Sequence, residues 1–358
     1  MRAIDLFCGA GGFSRGAHAA GFDVIAAFDK DPILTSSFKT NFPETKLVLA
    51  DLSETPGGEL FIAAGGEVDL MFGGPPCQGF SSIGRRDKSD PRRTLLGHFF
   101  RLVAEAKPRA FVMENVQGLA FADALPELES AIGSLPTDYF LVKPLVLDAA
   151  DFGAATSRKR MFVVGYDPAR CDSIWPDDFE LAKSSPATVA DAFSGLFNAT
   201  KLATDDCNDR WKIPPSVTLS DYAAALVAPD GIFTGNQRTR HTAKVSGRFS
   251  KLAPGKIDPV GRHPRLTWNG QCPTLRAGTG ADMGSYQSVR PIHPEEDRVI
   301  TVREAARLQG FPDDHLFHPT IWHSFRMIGN SVSPIIAEAV LRVVAEKLEI
   351  AEESKKAA

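Results

Sequence analysis

One cysteine, Cys77, stands in the run Gly73-Gly74-Pro75-Pro76-Cys77-Gln78-Gly79-Phe80-Ser81, a glycine and proline frame that an ordinary core strand would not tolerate. The frame forces an abrupt exit from the short apolar strand Val68-Asp69-Leu70-Met71-Phe72, at the carboxyl end where open α/β sheets bind ligands. Cys77 is therefore a candidate nucleophile, against the competing reading of a small packing residue. A further strand, Ala110-Phe111-Val112-Met113, ends in Glu114-Asn115-Val116. If these strands lie parallel, Cys77 and Glu114 emerge at one sheet edge and can face one ligand. A thiolate beside a carboxyl group suits attack on an electron-poor ring. The thiolate adds, and the acid protonates or hydrogen-bonds the ring nitrogen that gains electron density. Arg158 and Arg160 precede the strand Met161-Phe162-Val163-Val164-Gly165, and their alternation lets both point to one side or form a solvated basic turn.

The amino terminus supplies the element that would hold a second ligand. Ala3-Ile4-Asp5-Leu6-Phe7 runs directly into Cys8-Gly9-Ala10-Gly11-Gly12-Phe13-Ser14 and then a helical pattern. Glycines let a ligand approach the backbone, and a helix amino terminus offers free N–H groups. The next strand, Val24 to Phe28, ends in Asp29, and the strand Lys46 to Ala50 ends in Asp51. Acids at two successive strand ends after a glycine turn fit an adenosine-type ligand whose ribose hydroxyls donate to a carboxylate. They also fit caps of the following helices.

In order and spacing, DLFCGAGG, GGPPCQGFS, ENV, SRKR, RVITVREAARLQGFPD (298–313) and IGNSVSP (328–334) resemble the blocks of the DNA (cytosine-5)-methyltransferases of bacterial modification type. The resemblance covers most of the chain. It implies a doubly wound, mostly parallel α/β sheet of the S-adenosylmethionine-dependent methyltransferase fold, with a second, smaller target-recognition domain. It assigns S-adenosylmethionine to Phe7, Gly9, Gly11, Asp29, Asp51, Pro76 and Asn330, the nucleophile to Cys77, ring nitrogen 3 to Glu114, and holding of the base and support of the site to Arg158 and Arg160. It implies that Cys77 adds to carbon 6 of a cytosine flipped out of duplex DNA, so that carbon 5 takes the methyl group. Ala155-Thr156 stands where the family usually has Pro-Gln. The alternatives carried with this reading are cytosine-5 methylation of transfer RNA and a catalytically silent DNA-binding relative; intact Cys77, Glu114, Arg158 and Arg160 argue against the second.

A chain of 358 residues buries a large core and divides into at least two units. The expected division is a catalytic and cofactor-binding domain at 1–180 and 322–358, and a target-recognition domain at 181–321. The apolar stretches are short, so no membrane span is expected, and a cytoplasmic monomer is. Five scattered cysteines without a CxxC pair predict neither disulfides nor a metal site. The net charge of -4 does not by itself point to nucleic acid. Its distribution does: from Arg210 to Arg276 there are eleven Lys/Arg against Asp221, Asp230 and Asp258, as a phosphate-tracking region requires. Thr274-Leu275 resembles the Thr-Leu pair of the family's recognition domains, and with Arg276 it is a candidate for DNA contact. Ser81, Arg85 and Arg86 are further candidates, within a basic loop from Ser81 to Arg93 that is expected to act as a lid. Duplex DNA is the expected partner, with a restriction endonuclease as a functional companion. Helices are expected at 95–105, 125–133, 302–308 and 335–351, with Thr301 and Glu304 forming a capping box.

Overall fold

The apolar alternation of the first residues closes into strand β1, Arg2–Leu6, followed by α1 Gly12–Ala19, β2 Asp23–Asp29, α2 Phe38–Asn41, β3 Lys46–Leu49, α3 Gly57–Ala64 and β4 Leu70–Gly73. Next come α4 Thr94–Ala106, β5 Ala110–Val116, α5 Leu125–Ile132, β6 Phe140–Leu141, β7 Leu145–Asp148, β8 Thr156–Ser157, β9 Lys159–Tyr166 and α6 Pro176–Leu181. The rest of the chain forms α7 Val189–Phe193, β10 Thr200–Leu202, β11 Arg210–Lys212, α8 Asp221–Leu226, β12 Ile232–Thr234, α9 Ala243–Phe249, β13 Cys272–Pro273, α10 Val302–Leu308, α11 Ile321–Asn330 and α12 Pro334–Ala357. The structure is a computed structural model that describes residues 1–76, 94–121, 124–136, 138–203, 209–277 and 290–357. Cys77, Ser81, Arg85, Arg86 and the expected lid lie outside these residues.

Two compact units result: residues 1–148, 159–183 and 336–358, and residues 149–158 and 184–335. The first is built on a sheet of order β3-β2-β1-β4-β5-β9-β6, with β7 also on β9. Strands β1 to β5 pair in parallel, and β9 runs antiparallel to β5. The order reverses between β1 and β4, which creates a crevice outside the carboxyl ends of the strands. Burial on both faces explains the almost uninterrupted apolar strands. Phe28, Met71, Phe99, Phe100, Phe111 and Val163 lie in one core, each at most 1% exposed. The expected end of β5 at Met113 differs from the structure. The strand continues through Glu114, Asn115 and Val116 because β9 pairs with all seven of its residues.

The second unit carries the three-stranded antiparallel sheet β10-β11-β12 and the parallel bridge of β8 with β13. Its helix α10 starts at the expected capping box: the Glu304 N–H donates to the Thr301 hydroxyl at 3.1 Å, and the Thr301 N–H donates to Glu304 at 2.7 Å. The stretch Ile321–Ser354 is long and apolar enough by composition to compare with a membrane span, but 72% of its apolar window is buried within the protein. It is accounted for as core helix.

Candidate active site

The carboxyl ends of the parallel strands place the site in the first unit. The register runs Asp29 opposite Leu49, Phe28 opposite Leu6, Leu6 opposite Gly73, and Gly73 opposite Met113. Glu114 follows Met113 at this edge. Because β9 runs the other way, its start lies at the same edge, with Arg160 opposite Val116 and Phe162 opposite Glu114. Arg160 Nε lies 2.8 Å from Glu114 Oε1 in an ion pair, with only 13% and 10% of the two side chains exposed. So enclosed an ion pair is both charge and geometry: the guanidinium fixes one carboxylate oxygen and orients the other.

The glycine-proline stem leading to Cys77 is built against this pair. A Cβ on Gly73 would collide with the Leu6 carbonyl of β1, and one on Gly74 would lie 3.1 Å from Glu114 Oε2. The first glycine thus allows tight strand packing and the second close approach to the carboxylate. Asn115 Nδ2 donates to the Pro75 carbonyl at 3.2 Å and ties the stem to β5. Pro76 is half-buried at the last described position before Cys77. The described cysteines are poor nucleophiles. Burial pushes the thiols of Cys8, Cys171 and Cys272 up, Cys171 to about 12.

The amino-terminal turn coils through positive φ at Phe7 (61°), Gly9 (50°) and Gly11 (83°). Nothing lies within 4 Å of where a Gly9 Cβ would stand, so the backbone there faces open space. Gly11 is different, because a Cβ there would strike the Phe42 ring. Asp29 accepts from Gly9 N at 2.9 Å and from Asp31 N at 2.8 Å, and so pins the turn to β2. Burial raises its pKa, while those N–H groups work against the rise. Asp51 stands at the end of β3, where the Ser53 hydroxyl (2.7 Å), the Ser53 N–H (3.0 Å) and Lys30 (3.1 Å) hold its carboxyl down at about 2. Asp29 and Asp51 therefore act as local anchors and still face the edge. Open backbone at Gly9 and an ionised Asp51 fit an adenosine-bearing cation.

Asp5, which sequence reasoning passed over, is 1% exposed in β1 and accepts from the Ser14 hydroxyl at 2.5 Å. Burial pushes its carboxyl well up, the Ser14 hydroxyl opposes this, and the charge of Asp29 adds to it. An acid inside the apolar alternation Ile4-Asp5-Leu6 was the available signal. Asn115 carried a similar one.

Arg158 and Asn330 belong to the second unit. Arg158, 2% exposed, donates to the Leu275 carbonyl at 3.2 Å and the Gly329 carbonyl at 3.0 Å. Through these two bonds it grips the backbone. Gly329 lets the backbone of Arg276 and Ala277 pass where a Cβ would otherwise stand. Gln309 Nε2 donates to the Ile328 (3.2 Å) and Ser331 (3.1 Å) carbonyls, completing the brace around exposed Asn330. Thr156 and Ser157 run parallel to Cys272 and Pro273. Thr156 donates to the Cys272 carbonyl, and Thr274 donates to the Ser157 carbonyl, both at 2.9 Å. Buried Ala155-Thr156 is therefore a strand contact in place of Pro-Gln. Leu275 is buried at 3% and packs internally, whereas Arg276 is exposed.

The family model for C-5 cytosine-specific DNA methylases matches residues 1–346. The chain belongs to that family. This DNA cytosine methyltransferase is 40% identical over 361 residues to the Type II methyltransferase M.XorII of Xanthomonas oryzae pv. oryzae, covering 94% of the chain and 82% of that relative. It is 29% identical to the Type II methyltransferase M.DdeI of Desulfomicrobium norvegicum, covering 95% and 87%. A crystal structure described as a DNA modification methyltransferase encoded within an E. coli prophage superposes with a TM-score of 0.83 at 36% identity, covering 98% and 99%. The S. pombe Dnmt2 methyltransferase, at 17% identity and a TM-score of 0.65 over 98% and 99%, shares the fold. The methylase has the mixed α/β architecture, with a central mostly parallel sheet, that its sequence blocks predict.

Proposed function

We propose that this methylase transfers a methyl group from S-adenosylmethionine to carbon 5 of a cytosine flipped out of a specific duplex DNA sequence. The carrying observation is the enclosed Glu114–Arg160 pair, at the sheet edge where the Gly74-Pro75-Pro76 stem leads directly into Cys77. Phe7, Gly9, Gly11, Asp29, Asp51, Pro76 and Asn330 would hold S-adenosylmethionine, which when bound supplies an electrophilic methyl group on sulfonium sulfur. The Cys77 thiolate would add to carbon 6, with Glu114 stabilising the proton at ring nitrogen 3 and Arg160 keeping that carboxyl oriented. Addition makes carbon 5 enamine-like and able to accept the methyl group. Loss of the carbon 5 proton and elimination of the thiolate return the enzyme unchanged. Flipping the base costs a few kcal/mol, and contacts along the basic region offset it. Nine of the eleven Lys/Arg between Arg210 and Arg276 are exposed; Arg248 is half-buried and Arg265 buried.

The Type II names of the relatives support a modification enzyme paired with a restriction endonuclease, acting on DNA in the bacterial cytoplasm. We read the active form as a monomer. Bisulfite sequencing of DNA from a methylation-deficient host expressing the chain would show cytosines protected within one recurring sequence. Cys77→Ser would abolish this protection while retaining S-adenosylmethionine binding, and the wild-type chain would form a covalent adduct with duplex containing 5-fluorocytosine. Turnover on normal DNA without that adduct would overturn the mechanism.

A further inference from the structure

The second unit carries a hydrogen-bonded hairpin, residues 256–265, from which several side chains project into solvent. Lys256 and Arg265 pair through the Arg265 N–H to the Lys256 carbonyl at 2.8 Å, and Asp258 and His263 through the Asp258 N–H to the His263 carbonyl at 2.8 Å. Arg265 anchors the base, giving hydrogen bonds to the carbonyls of Pro294 (3.0 Å), Phe249 (2.6 Å) and Glu295 (2.8 Å). Higher up, fully buried Asp258 accepts from Arg248 Nε at 2.6 Å and Nη2 at 3.2 Å, and from the Gly261 N–H at 2.6 Å. Burial opposes this charge, yet Arg248 and the Gly261 N–H hold the carboxyl below its usual range. Above this clamp the side chains turn outward. Val260 is 70% exposed there, and Arg262 is exposed with φ at 59°, a left-handed conformation that a non-glycine residue rarely adopts; just below the clamp Ile257 is 53% exposed.

A tip held this firmly, with aliphatic groups in water and a residue in a disfavoured backbone state, has the marks of a contact element. Its charge selects the partner. Between 240 and 265 there are seven Lys/Arg and one acid, Asp258, which is already neutralised by Arg248. Lys256 at the hairpin base and Arg262 near its tip are both exposed, as is Lys251 a few residues before the hairpin. Like charge opposes a second copy of the chain, and two aliphatic side chains are too small a patch for a stable protein interface. Phosphates on both sides of an apolar groove edge match it.

We propose that the hairpin 256–265 is a preformed finger entering a groove of the duplex, with Val260 against the apolar edge of a base pair and Arg262 on a flanking phosphate. The thymine methyl group is the apolar feature that the major groove offers such a side chain. This rests on the DNA-methylating function proposed above.

The test uses the full chain, a duplex carrying the wild-type methylation sequence and a scrambled duplex of equal length. Arg262→Gly should melt no lower than wild type, since glycine accepts φ of 59° freely. It should also lower the slope of log affinity against log salt by about 0.9. Val260→Ser should leave that slope unchanged and reduce the preference for the cognate duplex by about 5-fold or more. Val260→Cys carrying a photocrosslinker should label DNA. Wild-type slope and preference in both variants, or crosslinks to protein alone, would overturn the finger. Failure of the methylation reading looks different: the wild-type chain would then bind duplex without transferring a methyl group.

Discussion

Arg158 and Arg160 are two residues apart and are put to opposite uses. Arg160 holds a carboxylate at the edge of an apolar sheet in the first unit, whereas Arg158 is buried against backbone carbonyls of the second, to which it belongs. The contrast extends to the whole regions. Among the described residues, the buried arginines are Arg158, Arg265, Arg298, Arg303 and Arg307, and all five lie in the second unit. There Arg307 meets Asp313 in a bidentate pair at 2.9 and 2.6 Å, and Arg298 meets Glu304 with two bonds of 2.8 Å. Arg303 gives its hydrogen bonds to the carbonyls of Thr234, Pro312 and His315. Burial pushes its guanidinium down to about 10. The first unit is stabilised by apolar packing and keeps its chemistry at strand ends; the second depends on charge for its own shape. Polar substitutions should therefore damage catalysis in the first and folding in the second.

The strongest way to break this contrast is Arg307→Ala. It removes the bidentate partner of the buried Asp313 carboxylate, leaving it only Arg303 at 3.7 Å, and should cost about 3–5 kcal/mol of stability, read from the urea midpoint. A loss below about 1 kcal/mol would show that the second unit does not depend on its charges. The reciprocal test is Glu114→Gln, which keeps the shape and one acceptor oxygen for Arg160. The single-turnover rate should fall about 10²–10⁴-fold while S-adenosylmethionine affinity stays within about threefold and the melting temperature within a few degrees. Comparable losses in rate and cofactor affinity would mean that the division between base activation and cofactor binding is misplaced.

A smaller effect sharpens the difference between the two arginines. Arg158→Ala removes two charge-assisted bonds to carbonyls and should cost about 2–3 kcal/mol. Arg158→Lys, which cannot span both Leu275 and Gly329 in one plane, should recover about half of that. Its rate per folded molecule should remain close to wild type, whereas Arg160→Lys should slow transfer without comparable loss of stability. The smallest effect concerns Asp51. Its carboxyl lies at about 2 because Ser53 and Lys30 favour the charged form, so its contribution to folding is complete above about pH 4 and is lost as pH falls towards 2. Asp51→Asn should flatten acid unfolding across that window and, at neutral pH, chiefly weaken S-adenosylmethionine binding by calorimetry.

Much of the first unit was legible because its signals are local. The strands that end in Asp29 and Asp51 are apolar runs that stop at acids, and the glycine turn after β1 coils as its composition requires. In the second unit Thr301 with Glu304 spells a capping box in the same local way. Glu114 was found as an acid at a strand end. That it continues the strand was not legible, because the pairing comes from β9, a partner far along the chain. The eleven basic residues from Arg210 to Arg276 read alike in sequence, yet Arg265 is a buried anchor and Arg262 an exposed tip.

By itself the sequence determined which residue types lie at the strand ends, the family to which their order belongs and the helix that starts at Thr301, because strand period, turn composition and capping depend on residues a few positions apart. Only the tertiary structure decided that Arg160 pairs with Glu114, that Arg158 reaches the Leu275 and Gly329 carbonyls, that Leu275 packs inward, and that Asp5 is buried beside Ser14. Those outcomes depend on which distant backbone carbonyl or carboxylate arrives within about 3 Å of a charged group, and hydrogen bonding of that range is set by packing, to which residue spacing along the chain is blind.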